Sequence, residues 1–148
     1  MQKKILFILF CFNLSSYSMA YEGIKTVKSK LSVGAAYTKV EEKIKSLGFT
    51  VFAKIDHQAN AKKAGLKLAE NIVVIFGKAK AGTKLMQETP NIGFDLPLKI
   101  QIFESTGGST INYLDADYLK KKYQIKNESM ILTKVENVLA KISSHASK

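Results

Sequence analysis

The stretch Ile72-Val73-Val74-Ile75-Phe76-Gly77 decides the fold that we predict for this chain. Its apolar residues are consecutive and mostly β-branched, which is typical of a central strand covered on both faces, and Gly77 ends the strand. A strand of this kind needs partner strands and a covering layer of helices, and the flanking sequence supplies both.

The residues before this strand predict a strand-helix-strand unit. Ile24 to Lys30 alternates apolar and polar side chains, as a half-buried strand does. Ser32 offers a helix N-cap and Gly48 stands where a helix ends, and between them an apolar stripe recurs at helical spacing: Val33, Ala36, Tyr37, Val40, Ile44 and Leu47. A second strand follows over Phe49 to Ile55, and the Ala- and Lys-rich segment from Gln58 to Leu66 predicts a short helix.

The residues after the apolar run predict a hairpin framed by helices. A strand over Leu96 to Glu104 turns at Thr106-Gly107-Gly108-Ser109 into a strand over Thr110 to Leu114. The helices are a short one with Thr83 as N-cap that is closed by Pro90, one capped by Asp115 that covers Ala116 to Tyr123, and a last one from Ser129 with the stripe Ile131, Val135, Val138, Leu139 and Ile142.

This order of elements predicts an α+β fold, in which a curved antiparallel sheet of about four to five strands has helices packed on one face. The length of 148 residues allows one domain. We place that domain in residues 21–143, and we expect the polar residues 144–148 to form a frayed tail.

Residues 1–20 have the three parts of a secretory signal peptide. Lys3 and Lys4 supply the positive start, Ile5 to Leu14 is an apolar stretch, and Ser18-Met19-Ala20 places small residues at a cleavage site. The apolar stretch is too short for a membrane span, which takes about 20 residues, so we expect no transmembrane helix. We therefore expect a periplasmic or secreted protein that is cleaved after Ala20.

The basic composition restricts the chemistry of the chain. All 23 basic residues are lysines, so the net charge of +11 comes without the guanidinium group that binds phosphate or guanine in bidentate fashion. A genome rich in A and T codons would give the same bias. The lysines are spread along the sequence with one run, Lys120-Lys121-Lys122, so we expect no nucleic-acid partner. The single cysteine, Cys11, lies in the signal peptide, which leaves no thiol or disulfide chemistry to the exported chain.

Several short motifs follow one another through most of residues 32–123. They are Gly48-Phe49-Thr50-Val51-Phe52-Ala53-Lys54-Ile55-Asp56-His57, Ala61 with Ala64-Gly65-Leu66, Val74-Ile75-Phe76-Gly77, Ala81-Gly82-Thr83, Leu85-Met86, Asp95-Leu96-Pro97-Leu98, and Tyr113 with Tyr118-Leu119. In these motifs the chain resembles a bacterial family, the DUF302 domain of unknown function. It departs from the family at Lys78-Ala79, where a proline usually follows the glycine. The resemblance implies a compact α+β domain similar to half of a TATA-binding protein, and a homodimer, but it implies no activity.

Asp56 and His57 are the first candidate for a functional site, because they stand at the end of a predicted strand. Histidine is the side-chain type suited to acid-base chemistry near neutral pH, and a neighbouring aspartate can fix its tautomer or share a metal ion. The structural alternative is that Asp56 caps the helix that follows and His57 fills a polar niche. Because no histidine or cysteine pair stands at ligand spacing, we expect no zinc site and predict no cofactor. A copper or haem pair of His57 with Met86 stays an alternative.

The segment Gly77-Lys78-Ala79-Lys80-Ala81-Gly82-Thr83-Lys84 is the second candidate. Its glycine spacing matches the phosphate-binding loop of nucleotide triphosphatases, but Thr83 precedes Lys84, which transposes the hydroxyl and the lysine and argues against that class. The backbone N–H groups of Gly82 and Thr83, at the start of a helix among lysines, predict a nest for a small anion. The alternative is a solvated loop whose glycines serve the turn.

The expected function is that of a small accessory or ligand-binding protein. Its site would combine the two segments, which converge if the strand ends lie together, and would hold a small anionic or polar ligand: Asp56, His57, Gly77, Gly82, Thr83, Lys84 and Met86. One alternative is an enzyme that uses His57 as acid and base with Asp56 as its orienting partner, and another is a purely structural interaction module. No Ser-His-Asp arrangement can be argued from spacing, so the balance leans away from catalysis.

Overall fold

A computed structural model describes residues 21–148, so the predicted signal peptide lies outside the described residues. The described part of the chain contains every strand and helix that the sequence predicts, although the bounds of some differ. In chain order they are β1 (Ile24–Ser29), α1 (Val33–Ser46), β2 (Thr50–Asp56), α2 (His57–Lys63), β3 (Asn71–Gly77), α3 (Ala79–Glu88), a 3-10 segment (Pro90–Phe94), β4 (Leu98–Ser105), β5 (Gly108–Leu114), α4 (Ala116–Lys122) and α5 (Ser129–Ala146).

The strands form one open sheet of five in the order β1-β5-β4-β3-β2, and every neighbouring pair is antiparallel. The consecutive pairs β2–β3, β3–β4 and β4–β5 lie side by side, whereas β1 pairs with β5 at the far edge. The predicted α+β class and its antiparallel sheet are confirmed.

The helices cover one face of the sheet. Helix α1 begins at the predicted N-cap, where the Ser32 hydroxyl accepts a hydrogen bond from the Ala35 N–H at 3.3 Å. Helix α5 packs beside α1. The core between helices and sheet is formed mainly by aliphatic side chains, among them Val33, Val40, Ile44, Val74, Phe76, Ile100, Ile102, Ile111, Leu132, Leu139 and Ile142.

Strand β3 is buried on one face only. Ile72, Val74 and Phe76 face the helices and are buried, whereas Val73 and Ile75 are half-buried on the opposite face. The prediction of a strand covered on both faces is therefore wrong. The physical reason is that antiparallel sheets need a covering layer on one side only, and here the second side stays open.

The C-terminus is ordered, and the prediction of a frayed tail over residues 144–148 is wrong. Helix α5 continues to Ala146, which is fully buried and whose carbonyl accepts a hydrogen bond from the Ser29 hydroxyl at 2.9 Å. The Lys39 ammonium donates to the Lys148 carbonyl at 3.1 Å. The polar composition of this tail hid the apolar position that anchors it.

Candidate functional site

The two predicted site segments lie at opposite ends of the hairpin that β2 and β3 form. Asp56 pairs with Ile72, while Thr50 pairs with Gly77. A strand rises by about 3.3 Å per residue, so the five residue steps from Ile72 to Gly77 separate the two segments by about 17 Å. The condition for convergence, that the strand ends lie together, is not met because consecutive antiparallel strands end at opposite edges of the sheet.

Asp56 and His57 have local structural partners. Asp56 is the N-cap of α2, and its Oδ1 accepts a hydrogen bond from the Ala59 N–H at 2.9 Å. His57 is the first residue of that helix and is exposed. The carboxylate of Asp56 therefore holds the helix start, as the structural alternative expected. His57 also lies at the opposite end of the hairpin from Met86, so the two do not form a metal or haem pair.

Helix α3 begins earlier than predicted. Lys78 is extended, with φ −135° and ψ 109°, and is the residue from which the helix starts at Ala79. Gly82 and Thr83 thus lie inside the helix, and the Gly82 N–H donates to the Lys78 carbonyl at 3.1 Å. The prediction that these N–H groups form an anion nest is wrong, because the N–H groups are those of a helix interior and Thr83 is not an N-cap.

Four of the predicted residues, Gly77, Gly82, Thr83 and Met86, line one cavity of about 290 Å³. Lys84 is exposed on the same helix and does not line it. The walls come from β2, β3, α3, the 3-10 segment, the start of β4 and α5. Besides the four predicted residues, the lining consists of Phe49, Phe52, Lys78, Ala79, Ala81, Leu85, Gly93, Leu96, Pro97, Leu98, Leu132 and Val135.

The cavity exists because small residues meet there. A Cβ atom on Gly82 would stand 3.9 Å from Leu96 Cδ1 and 4.0 Å from Met86 Cε, and one on Gly93 would stand 3.2 Å from Met86 Sδ. Larger side chains at these glycines would occupy the space. Met86, which is 39% exposed, is the flexible side of the wall, since an unbranched thioether adapts to what it contacts.

The interior of the cavity is apolar and its edge carries a positive charge. Phe52 is 52% exposed at the opening. The Lys78 ammonium lies 5.4 Å from the centre of the Phe49 ring, within the range of a cation–π contact. Lys78 also begins α3 without any side-chain cap, so the positive end of the helix dipole adds to its charge.

Two carboxylates tie the 3-10 segment and α3 to the C-terminal helices. Asp95 Oδ2 accepts hydrogen bonds from Lys122 Nζ at 2.8 Å and from the Tyr123 hydroxyl at 2.7 Å. Burial alone would raise the pKa of Asp95, but these two donors and the lysine charges outweigh it and hold the pKa below its ordinary value. The contacts of Asp95 are internal, so we assign it a structural role.

Glu88, the last residue of α3, holds the start of α5. Its carboxylate accepts hydrogen bonds from the N–H groups of Lys126, Asn127 and Glu128 at 2.7, 3.0 and 2.8 Å. The bonds from Lys126 and Glu128 lower the pKa of Glu88 most. Within residues 21–148, no cluster of three or more His, Cys, Asp or Glu side chains could hold a metal ion.

The aromatic and glycine walls of the cavity were not among the predicted site residues. Phe49 and Phe52 looked like ordinary strand residues, and Gly93 carried no signal at all. The density of small residues at Gly77, Ala79, Ala81 and Gly82 is a sign of unfilled space, but the prediction for this segment was an anion nest, with a solvated loop as the alternative.

The fold and this cavity define a class of protein: an open five-stranded antiparallel sheet, covered by helices on one face, with an apolar cavity at one end of the β2–β3 hairpin. The chain belongs to the DUF302 family, described as "Domain of unknown function DUF302", whose model matches residues 25–145. The resemblance noted in the sequence is thus confirmed.

One solved structure shares this fold, and curated relatives match the chain over part of their own length. A crystal structure of an uncharacterized conserved DUF302 protein from Bacillus stearothermophilus matches with a TM-score of 0.76 and 17% identity, over 86% of this chain and all of that one. Proteins named "Fluoride-specific ion channel FluC 1" from Brucella suis and Brucella abortus are 37% identical over 120 residues, which is 79% of this chain but 46% and 44% of theirs. The chain thus spans less than half the length of these relatives. Among the described helices of this chain, none is long and apolar enough to cross a membrane.

Proposed function

We propose that this domain binds a small molecule with an apolar body and an anionic end in the cavity beside α3. The observation that carries the proposal is the cavity itself, whose lining is almost entirely apolar and whose edge carries Lys78. Small-molecule sites are concave and mostly apolar, with a few polar groups that fix the orientation of the ligand.

The size and charge of the cavity select the ligand class. A volume of about 290 Å³ is at the lower end of small-molecule sites, so the ligand has the size of a short fatty acid or an aromatic acid. Apolar surface gains about 25 cal/mol per Å² when it leaves water, which favours an apolar body inside. The Lys78 ammonium and the positive start of α3 favour an anionic end at the opening.

The proposed ligand is anionic, as the sequence led us to expect. It differs from that expectation in its binding site, which is the apolar cavity, and in its apolar body. Gly77, Gly82, Thr83 and Met86 stay in the site as wall residues. Asp56, His57 and Lys84 fall outside it. The enzyme alternative with His57 gains no support, because Asp56 is engaged with α2 and His57 does not line this cavity.

A fluorescent probe with the same two features tests the proposal. Anilinonaphthalene sulfonate has an apolar body and a sulfonate, and its emission rises when it leaves water. We expect it to bind, and decanoate to displace it better than decanol does, because only decanoate offers a charge to Lys78. Lys78→Gln should remove this preference, whereas Lys84→Gln, on the same helix but outside the cavity, should preserve it.

A variant that fills the cavity gives the decisive test. Gly82→Leu should abolish probe binding, because its side chain would project toward Leu96 and Met86. Gly34→Leu is the matched control, since Gly34 lies in α1 with open space around it. Probe binding that survives Gly82→Leu, or that is lost equally in Gly34→Leu, would contradict the proposal.

The open face of the sheet supports a homodimer as the quaternary state, and we include that state in the proposal. The middle row of the register crosses this face through Ile55, Val73, Gln101, Asn112 and Thr26, which are uncharged, and Lys28 and Lys99 lie on the rows at either side of it. Repulsion between two copies of a basic chain favours contact through the uncharged middle of this face. Light scattering should give twice the mass of one chain, and Val73→Glu should give the monomer; a wild-type monomer would contradict this.

Export through the signal peptide at Met1–Ala20 is the proposed localisation. The support for it is the order of charged, apolar and small residues in that segment. The intact mass of the protein isolated from the cell envelope should be that of a chain that begins at Tyr21. A mass that includes Met1–Ala20, or protein confined to the cytoplasm, would contradict it.

The match to fluoride-specific ion channels favours a second candidate, an accessory role beside a membrane transport protein. Because the chain spans less than half of those relatives, we propose this role and not conduction. Cells that express a fluoride channel should survive more fluoride when this chain is added than with the channel alone. Equal survival in both strains would contradict the accessory role.

A further inference from the structure

The segment from His57 to Glu70, here called the protrusion, extends from the end of the β2–β3 hairpin that is remote from the cavity. It consists of α2 and the loop that leads to β3, and α2 has no buried residue. With Ala61 as the one partly buried position, every residue of the protrusion is exposed. A helix with one partly buried residue uses little of its surface against the core, so most of that surface is available to a partner.

Two leucines are held outward by a hydrogen-bonded frame. Leu66 is 66% exposed and Leu68 is 46% exposed. The Leu66 N–H donates to the Ala61 carbonyl at 2.9 Å and the Gly65 N–H to the Lys62 carbonyl at 3.1 Å, which is the Schellman pattern that ends a helix. Gly65 has a φ of +75°, as this pattern requires.

The same frame fixes the loop beyond the helix. The Gln58 amide donates to the Leu68 carbonyl at 3.2 Å, so the loop returns along α2. The exposure of both leucines therefore results from a defined backbone. Exposed apolar side chains that are presented in this way mark a contact surface more than scattered single residues do.

The leucines are surrounded by positive charge. Lys62, Lys63 and Lys67 are all exposed, and among the described residues none of them takes part in an ion pair. Glu70, the one acidic residue of the protrusion, is at its base, where its carbonyl accepts a hydrogen bond from the Glu104 N–H at 2.9 Å. Leucines that can enter the acyl boundary, with lysines beside them at headgroup level, are the combination that an anionic bilayer surface binds.

We propose that the protrusion docks the protein on an anionic lipid bilayer, with Leu66 and Leu68 in the interface and Lys62, Lys63 and Lys67 on the headgroups. The cavity takes no part in this contact, because it lies at the other end of the hairpin. An acidic protein surface would satisfy the lysines, but it would leave two leucines without a function. We choose a bilayer because it accounts for the exposed leucines and the surrounding lysines together.

Vesicle co-sedimentation tests the docking. The probes are vesicles of phosphatidylglycerol mixed with phosphatidylcholine, and vesicles of phosphatidylcholine alone. The protein is used as purified from the expressing cell, with its mass recorded to show whether residues 1–20 are present. We expect binding to the anionic vesicles that weakens with salt, and much weaker binding to the neutral ones.

Two variants separate the contributions of charge and apolar contact. Lys62→Gln/Lys63→Gln/Lys67→Gln should lower partitioning into anionic vesicles by about 100-fold, since each lysine near such a surface contributes about fivefold. Leu66→Ser/Leu68→Ser should lower it by at least about tenfold, from the loss of two inserted side chains. All five positions are exposed, so circular dichroism should show an unchanged fold.

The matched control removes the same charge elsewhere. Lys120→Gln/Lys121→Gln/Lys134→Gln changes three exposed lysines of α4 and α5, and should reduce binding by only a few fold. A loss equal to that of the protrusion triple variant would mean diffuse attraction and would overturn the proposal. Full binding by Leu66→Ser/Leu68→Ser would point to an acidic macromolecule as the partner and would also overturn it, as would absence of wild-type binding to the anionic vesicles.

Discussion

At one end of the β2–β3 hairpin, Gly77 borders a cavity that the core of the protein leaves unfilled; at the other end, Asp56 leads into a helix that has no fully buried residue. Both ends expose apolar side chains, Phe52 and Met86 at the first and Leu66 and Leu68 at the second. The first group lines a concave space and the second projects from a convex one. Concave apolar surface suits a small molecule, whereas convex apolar surface suits an extended partner.

Truncating one leucine at each end should give the largest contrast in stability. Leu85 is 1% exposed and lines the cavity, so Leu85→Ala should cost about 2–5 kcal/mol of unfolding free energy. Leu66→Ala should stay within about 0.5 kcal/mol, because its side chain has little contact to lose. Urea denaturation of both variants measures this. Similar losses would mean that the protrusion is packed against the core after all.

Alanine in place of one glycine at each end should give smaller effects of opposite sign. Gly82 lies in the interior of α3 and a Cβ there would make ordinary contacts, so Gly82→Ala should stabilise the protein by about 0.5–1 kcal/mol. Gly65 has a left-handed backbone, so Gly65→Ala should destabilise it by about 1 kcal/mol even though space is open. The same sign for both variants in thermal unfolding would refute the helical geometry assigned to one of the two glycines.

The parts of this fold that were predictable from sequence are those set by local periodicity. Helix α1 has a stripe, a serine N-cap and a glycine end, and all three are where the sequence places them. The start of α3 was misplaced because Lys78 begins the helix without a side-chain cap, while Thr83 looks like a cap residue. A helix start that is set by the backbone alone, without a capping side chain, cannot be recognised from the sequence pattern.

The candidate site was predictable only in part, because its geometry depends on strand direction. Four of the predicted site residues do line one cavity: Gly77, Gly82, Thr83 and Met86. The site prediction also included Asp56 and His57, although the ends of two consecutive strands in the predicted antiparallel sheet lie at opposite edges. The cavity is a space that the side chains of several separate strands and helices leave unfilled. Such a space cannot be recognised before the packing of those elements is known.

The smallest contrast between the two ends is in their dependence on pH. The cavity end is fastened to α5 by the ionised Glu88, whereas the protrusion is fastened by the neutral amide of Gln58. The folded protein holds the pKa of Glu88 below its ordinary value of 4.5, so its contribution to stability is complete above that pH and is lost as the pH falls through the lowered pKa. Glu88→Gln should therefore lower the unfolding free energy at neutral pH, and the deficit should shrink as the solution is acidified below about 4.5.

Gln58→Ala is the control at the other end of the hairpin. It removes no ionisable group, so its loss of unfolding free energy should be the same at neutral and at acidic pH. Urea denaturation at neutral and acidic pH measures both variants, and a Glu88→Gln deficit that does not change with pH would show that its carboxylate charge is not what holds α5 in place.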